Sequence, residues 1–227
     1  MTVEPFGDAA VLVHASAGDP DGRWIAVESL RDALSARPVA AVRDLVVSFE
    51  HLLVQFDPAR TDAGTVIAAL ADRAAGAGGG GPAPSGQVLR VPVVFGGRHG
   101  PDLVEAADHV GTSPEVLVAA VTAQPLLVRF LGAGIEPMCT RPGSPPPVPR
   151  RRVPRSRVEA GSVGLAAANL TIYPFTSPGG WQLIGRTPAT LCDVAREPLA
   201  PYRAGDLLQL VPVDESAWDQ HTGPLGG

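Results

Sequence analysis

The chain of 227 residues carries a formal net charge of −5, which argues against a nucleic-acid partner because phosphate contacts need a basic surface. It has no apolar run near the roughly 20 residues that span a bilayer, and no basic segment precedes its first apolar stretch, so we expect neither a membrane span nor a signal peptide. Its two cysteines lie far apart without metal-ligand spacing, and we predict reduced thiols in a cytoplasmic protein without a metal site.

The first 73 residues are predicted to form a small α+β domain. Residues 9–15 form a short strand, and residues 42–58 hold two β-rich runs that turn back at Glu50, a hairpin pattern. Two further segments have apolar residues at helical spacing, and Thr61 is placed to cap the second of these helices. The apolar positions are Trp24, Val27, Leu30 and Leu34 in the first helix and Val66, Ile67, Leu70 and Ala74 in the second.

Residues 74–87 are almost entirely glycine, alanine, proline and serine, a composition typical of a linker. Residues 88–214 are predicted to form a second domain, which begins with a strand, a short helix closed by Gly111 and a helix capped by Ser113. Beyond residue 125, short β-rich runs alternate with Gly/Pro turns, which indicates a barrel or a sandwich. Residues 215–227 are predicted to be a loose tail.

His99 and Asp102 lie three residues apart at the predicted start of the first helix in this second domain. The spacing suits an acid–base pair. It equally suits an aspartate that caps the helix and a histidine on the surface. We predict the second arrangement.

A proline-rich stretch concentrates five arginines: Arg150, Arg151, Arg152, Arg155 and Arg157. The prolines favour an extended backbone, so alternate side chains should point to opposite sides. One set could bind a phosphate or carboxylate bidentately, or the stretch could be a solvated face or a subunit contact. Because the chain has no lysine, any bound anion must be held by arginine, histidine, backbone N–H groups or a metal.

The stretch IYPFTSPGGWQLIGRTP combines a turn with polar side chains. The glycines of Ser177–Gly180 allow a positive φ or the close approach of another backbone, and Trp181 is expected to anchor the turn. On a strand, Gln182 and Arg186 would share one face, beside Tyr173. The stretch therefore suits a small-anion site, an interface or a well-packed turn without a ligand.

Six segments carry a resemblance to a known family: FGDAAVLV, LLVQFDP, VPVVFGGRHGPDLVEAADHVGTSPEVLV, PRRRVPRSRVEAGSVGLA, IYPFTSPGGWQLIGRTP and YRAGDLLQLVPV. Together they resemble allophanate hydrolase subunit 1, a family that includes the B-type subunit of bacterial 5-oxoprolinase and the kinase inhibitor KipI. The resemblance covers nearly the whole chain. It implies an α+β fold, in which a small α/β N-terminal domain is followed by a cyclophilin-like β-barrel domain.

The same resemblance implies partners and an activity. The chain is expected to work with a second cyclophilin-like subunit, similar to allophanate hydrolase subunit 2. With a third oxoprolinase subunit, such assemblies open 5-oxoproline to glutamate at the expense of ATP, so ATP is the expected co-substrate of the complex.

The barrel cleft is the site that the resemblance implies. Glu159 is the candidate acid or base, and Arg186 is the candidate holder of a carboxylate or a carboxyphosphate-like anion. The other candidates for substrate binding or an interface are Arg155, Ser162, Tyr173, Ser177, Gly179, Gly180, Trp181 and Gln182.

Residues 133–149, AGIEPMCTRPGSPPPVP, depart from the family pattern, which usually has a run rich in glycine and phenylalanine, with a tyrosine, at this place. If that run lines the active cleft, part of the site is missing here. Two alternatives to an oxoprolinase subunit therefore stay open: a KipI-like module that inhibits a histidine kinase, and a non-catalytic scaffold subunit.

Overall fold

The chain forms two compact units, Met1–Ser85 and Gly86–Gly227. In the computed structural model the described residues are 1–76, 86–132, 135–140 and 147–226, without the side chains of 74–76. Within these residues, no helix is both long and apolar enough to cross a membrane.

The N-terminal unit is an antiparallel sheet covered by two helices. Its elements are β1 (Thr2–Pro5), β2 (Ala10–His14), α1 (Pro20–Ala36), β3 (Val42–Ser48), β4 (His51–Phe56) and α2 (Ala63–Gly76). The strand order is β1-β2-β4-β3, and the predicted hairpin is confirmed by the pairing of β3 with β4. The apolar face predicted for α1 is buried as well, with Trp24, Val27, Leu30 and Leu34 at most 3% exposed.

Helix α2 differs from the prediction at both ends. Asp62 caps it instead of Thr61, because the Asp62 carboxylate directly precedes the first turn and accepts the backbone N–H of Thr65 at 2.8 Å. At the other end the helix continues to Gly76, inside the predicted linker 74–87, since alanine favours helix. Residues 77–85 of that linker lie outside the described residues.

The C-terminal unit contains most of the strands. Its elements are β5 (Val88–Phe95), α3 (Leu103–His109), α4 (Pro114–Thr122), β6 (Leu126–Leu131), β7 (Pro137–Thr140), β8 (Arg155–Val158), β9 (Ser162–Ala166), β10 (Asn169–Ile172), β11 (Ser177–Gly179), β12 (Gln182–Arg186), β13 (Ala189–Thr190), β14 (Leu207–Pro212), a 3₁₀ helix (Glu215–His221) and β15 (Gly223–Pro224). The predicted caps are confirmed: Gly111 has φ +68°, and Ser113 accepts the N–H of Val116 at 3.3 Å.

Seven strands close into a barrel in the order β10-β7-β6-β14-β5-β12-β9. Strands β14 and β5 run parallel, from Leu207 opposite Val88 to Pro212 opposite Val93, and the other barrel pairs are antiparallel. Aliphatic side chains from the strands and from α3 and α4 fill one core. The α+β fold with a C-terminal barrel is therefore confirmed.

The predicted loose tail is wrong. Residues 215–221 form the 3₁₀ helix, β15 pairs with β13, and Leu225 is 5% exposed within the barrel core. The buried Leu225 side chain helps to hold this otherwise largely polar and glycine-rich stretch, because burying such a side chain is worth about 1.5–3 kcal/mol.

The atypical segment 133–149 supplies part of the barrel. Its residues 137–140 form β7, which pairs with β6 and β10, while residues 133–134 and 141–146 lie outside the described residues. Cys139 of β7 and the distant Cys192 are free, buried thiols, and burial raises the pKa of both.

Candidate functional site

The SPGG turn is held by the ring of Tyr173. Tyr173 is 3% exposed and forms a small cluster with Val158 and Leu183. A Cβ built on Gly179 would overlap the Tyr173 hydroxyl and lie 2.9 Å from its Cζ, whereas one on Gly180 would meet only Pro154 at 3.6 Å. Gly179 is thus required for the approach of an aromatic ring, not for a positive φ or the approach of another backbone.

This difference makes a matched pair of substitutions informative. Gly179→Ala is expected to lower the free energy of unfolding by about 1–3 kcal/mol, the usual cost of overpacking, because the buried Tyr173 ring has no room to move. Gly180→Ala should stay within about 0.5 kcal/mol. Urea unfolding of both variants measures the difference, and equal effects would contradict this explanation of the turn.

Gln182 and Arg186 lie on opposite faces of β12, so the predicted shared face is wrong. Gln182 pairs with Leu165 and Arg186 with Ser162, and the register shifts between Leu183 and Gly185. Because Leu165 and Ser162 are three residues apart on β9, their side chains point to opposite sides. A bulge of one residue therefore separates the two polar side chains.

Gln182 is an interior residue, 1% exposed. Its Nε2 donates to the carbonyl of Pro149 at 3.3 Å, and its Oε1 has no hydrogen-bond partner among the described residues. Ser162, on the neighbouring strand, is 3% exposed, and its carbonyl accepts the N–H of Tyr173 at 2.9 Å. Both residues support the barrel wall and are closed to solvent.

Asp102 is the centre of a buried ion cluster. It is 4% exposed and accepts two hydrogen bonds from Arg155 at 2.7 and 2.8 Å and one from Arg151 at 2.9 Å. The backbone N–H of Leu183 adds a fourth at 2.7 Å. The Asp102 side chain makes no cap hydrogen bond to α3, although its backbone carbonyl accepts the N–H of Ala106 at 2.8 Å. The predicted capping by this side chain is wrong, because its carboxylate binds two arginines that lie 49 and 53 residues away along the chain.

The five arginines of the proline-rich stretch therefore have different contacts. Arg151 and Arg155 neutralise Asp102. Arg155, a candidate for substrate binding or an interface, is therefore engaged in an internal ion pair. Arg157 pairs with Glu159 at 2.6 Å. The guanidinium of Arg150 lies 5.5 Å from the ring centre of Trp181, on the turn that begins with Ser177. Only Arg150 and Arg152 of the five are exposed without a carboxylate partner among the described residues.

Glu159 is a partly exposed carboxylate held in its ionised form. The hydrogen bond from Arg157 lowers its pKa, and the charge of Arg186 and a hydrogen bond from Thr176 act in the same direction. A carboxyl with a lowered pKa is a poor proton donor at neutral pH. Glu159 is thus suited to balance the charge of the neighbouring arginines, and not to act as a general acid.

The pKa of Glu136, in the atypical segment, is shifted in the opposite direction. The carboxyl is half-buried, and burial raises its pKa, which favours the protonated form. Sequence reasoning missed this carboxyl because it lies in a segment where the family pattern is broken.

The guanidinium of Arg186 contacts a backbone carbonyl and an indole ring. Its Nε donates to the carbonyl of Ala160 at 2.8 Å, and its Cζ lies 5.6 Å from the ring centre of Trp218. Trp218 also contacts His99, whose ring stacks on the indole with the two ring centres 4.4 Å apart. We call Arg186, Glu159, His99 and Trp218 the Arg186 site.

His99 is not the surface residue that was predicted. It is 8% exposed, and its Nε2 lies 3.5 Å from a carboxylate oxygen of Glu215. Both Trp218 and Glu215 come from the stretch predicted to be a loose tail. A tryptophan in a chain with only 5% aromatic residues was the signal that could have marked this stretch as ordered.

The described residues contain no group of three or more His, Cys, Asp or Glu that could hold a metal ion.

Comparison with known proteins gives the family. The family model described as carboxyltransferase domain, subdomain C and D, matches residues 1–202. The chain belongs to this family.

Among curated relatives, this carboxyltransferase C/D chain is 41% identical over 135 residues to the B-type subunit of 5-oxoprolinase from Escherichia coli O157:H7. The match covers 58% of the chain and 61% of the relative, so it spans less than two thirds of that protein. The predicted family is thus confirmed.

Two solved structures have folds similar to that of this carboxyltransferase C/D chain. A conserved uncharacterized protein from Pyrococcus horikoshii matches with a TM-score of 0.57 and 28% identity, over 96% of this chain and 100% of that one. The urea carboxylase of Kluyveromyces lactis matches with a TM-score of 0.76, over 96% of this chain and 22% of that one. At 16% identity, the second likeness shows the fold alone.

Proposed function

We propose that the chain is the B-type subunit of an ATP-dependent 5-oxoprolinase. The observation that carries this proposal is its 41% identity to the corresponding 5-oxoprolinase subunit of E. coli. In the proposed reaction, one water adds to the lactam carbonyl of 5-oxoproline and the ring C–N bond breaks to give glutamate, while a second water takes up the terminal phosphoryl group of ATP to give ADP and phosphate. The chain works in the cytoplasm with a second cyclophilin-like subunit and a third oxoprolinase subunit.

Arg186 is the residue proposed to hold the anion in this reaction. Its Nε is occupied by Ala160 and its plane lies near an indole, so its terminal N–H groups are the ones left for a carboxylate or a carboxyphosphate-like anion. A guanidinium suits such planar anions because it donates two parallel hydrogen bonds. Glu159, ionised by Arg157, is placed to accept a proton nearby.

The SPGG turn is the proposed contact with the second cyclophilin-like subunit. Trp181 and Arg150 form a cation–π pair there, and Phe175 and Val153 are exposed beside it at 40% and 74%. Arginine and aromatic side chains are enriched at protein interfaces. A nucleotide is proposed to bind to the assembled complex.

Co-expression with the two further subunits tests the assembly, and 5-oxoproline-dependent release of phosphate from ATP tests the activity. Arg186→Ala is expected to lower kcat/KM for 5-oxoproline about 10- to 100-fold, which corresponds to about 1.4–2.8 kcal/mol. Arg196→Ala, at an exposed pair with Asp193, is the matched control and should leave the rate unchanged.

Each failure has a separate meaning. If the chain does not co-purify with the other subunits, the subunit proposal is overturned, and binding to a histidine kinase becomes the function to test. If the complex forms and works but Arg186→Ala is as active as the unaltered protein, the anion does not bind at Arg186 and the chain acts as a scaffold.

A further inference from the structure

The 3₁₀ helix Glu215–His221 contributes Trp218 to the Arg186 site, although it follows the residues 1–202 that the family model matches. Its only aromatic residue, Trp218, is partly buried. None of the residues of this helix belongs to the candidate set that the family resemblance implies.

Trp218 contacts two other members of the Arg186 site. The indole and the imidazole of His99 are stacked, with ring centres 4.4 Å apart and planes inclined by 20°. The guanidinium carbon of Arg186 lies 5.6 Å from the indole centre, within the range of a cation–π contact. Trp218 therefore joins the arginine of β12 to the loop that precedes α3.

The helix is held in place on both sides of Trp218. Before it, the N–H of Val213 donates to the carbonyl of Val93 at 3.0 Å, and Glu215 pairs with Arg98. After it, the N–H of Leu225 donates to the carbonyl of Thr190 at 2.9 Å, and the Leu225 side chain is buried. An anchored segment of this kind can restrict a neighbouring side chain.

Restriction matters for Arg186 because a free arginine side chain has many rotamers, and binding an anion bidentately requires one of them. Ala160 fixes one edge of the guanidinium through Nε. The indole limits rotation of the plane. Together these contacts leave the terminal N–H groups pre-oriented, which lowers the entropic cost of binding a planar anion.

We propose that Trp218 is a positioning residue that orients the Arg186 guanidinium for a planar carboxylate-type anion. The inference rests on the proposed function for the identity of that anion, 5-oxoproline. The orientation of Arg186 itself can be measured on the chain alone.

The first measurement uses the 227-residue chain alone, with ¹⁵N-labelled arginine. The Nε–H signal of Arg186, assigned by its loss in Arg186→Ala, is protected by Ala160. Trp218→Ala is expected to speed its hydrogen exchange about tenfold or more, while Trp218→Phe, which keeps an aromatic ring, should stay near the unaltered chain. His221→Ala, at the exposed end of the same helix, is the control for general loosening. Unchanged exchange in Trp218→Ala overturns the proposal.

The second measurement uses the complete complex and 5-oxoproline. Trp218→Ala should raise KM about tenfold with little change in kcat, and Trp218→Phe should restore most of it. In the double variant Trp218→Ala/Arg186→Ala, the tryptophan substitution should have no further effect. Additive effects overturn the positioning role while leaving the proposed function intact. If Arg186→Ala alone has no effect, both the anion role of Arg186 and this inference fail.

Discussion

Replacing Asp102 by asparagine is expected to lower the free energy of unfolding by about 3–5 kcal/mol, the usual cost of removing one partner from a buried ion cluster. The Asp102 carboxylate contacts both Arg151 and Arg155. Without its charge, two largely buried guanidinium groups lose their counter-ion. The backbone N–H of Leu183, which donates to the same carboxylate at 2.7 Å, also loses a charged acceptor.

Urea unfolding of Asp102→Asn measures this loss. Asp193→Asn is the matched control, because the Asp193–Arg196 pair is exposed and such pairs contribute about 0–1 kcal/mol. Adding Arg151→Gln to Asp102→Asn should recover part of the stability by removing one uncompensated charge. A loss below about 1 kcal/mol in Asp102→Asn would show that the cluster is as well solvated as a surface pair.

Gly161→Ala is the second substitution with a large expected effect, a loss of about 3 kcal/mol or more. Two costs combine: the residue has φ +83°, a region that costs other residues about 1–2 kcal/mol, and its Cβ would overlap the carbonyl oxygen of Thr187. That oxygen belongs to the backbone and cannot rotate away. Gly161 also exchanges hydrogen bonds with Tyr173 and Thr187 at 2.7 and 2.9 Å.

Gly111→Ala separates the two costs. Gly111 has a similar φ of +68° but open space around its Cβ position, so only the backbone term should appear, about 1 kcal/mol. Chemical denaturation of both variants gives the difference. If Gly161→Ala is no worse than Gly111→Ala, the close contact with Thr187 is relieved by a small shift and does not constrain the fold.

Local patterns explain why much of the fold could be predicted. The buried face of α1 follows from apolar residues at helical spacing, and the Ser113 cap follows from a serine before a proline and an acidic first turn. Short strands with Gly/Pro turns indicated a barrel or a sandwich, and the family resemblance implied the barrel. The α2 cap was misplaced by one residue because Thr61 and Asp62 are both good capping residues, and only the backbone decides between them.

The candidate site was less predictable because its contacts are not local. Asp102 binds arginines 49 and 53 residues away, and no pattern near Asp102 indicates them. The bulge that separates Gln182 from Arg186 depends on how β12 pairs with β9. Trp218 was missed because its helix is short and its stability comes from tertiary contacts.

The parallel pairing of β5 with β14 has a consequence for synthesis of the protein on the ribosome. These strands are the first and the last of the barrel along the chain, and the pair Val88–Leu207 brings together residues about 120 positions apart. The barrel cannot close until the last strand has left the ribosome. Until then the partner edge of β5 is unpaired, and an unpaired apolar strand is prone to aggregate. We expect chains that stop before residue 207 to depend on chaperones, whereas the N-terminal sheet has all its strands by residue 56.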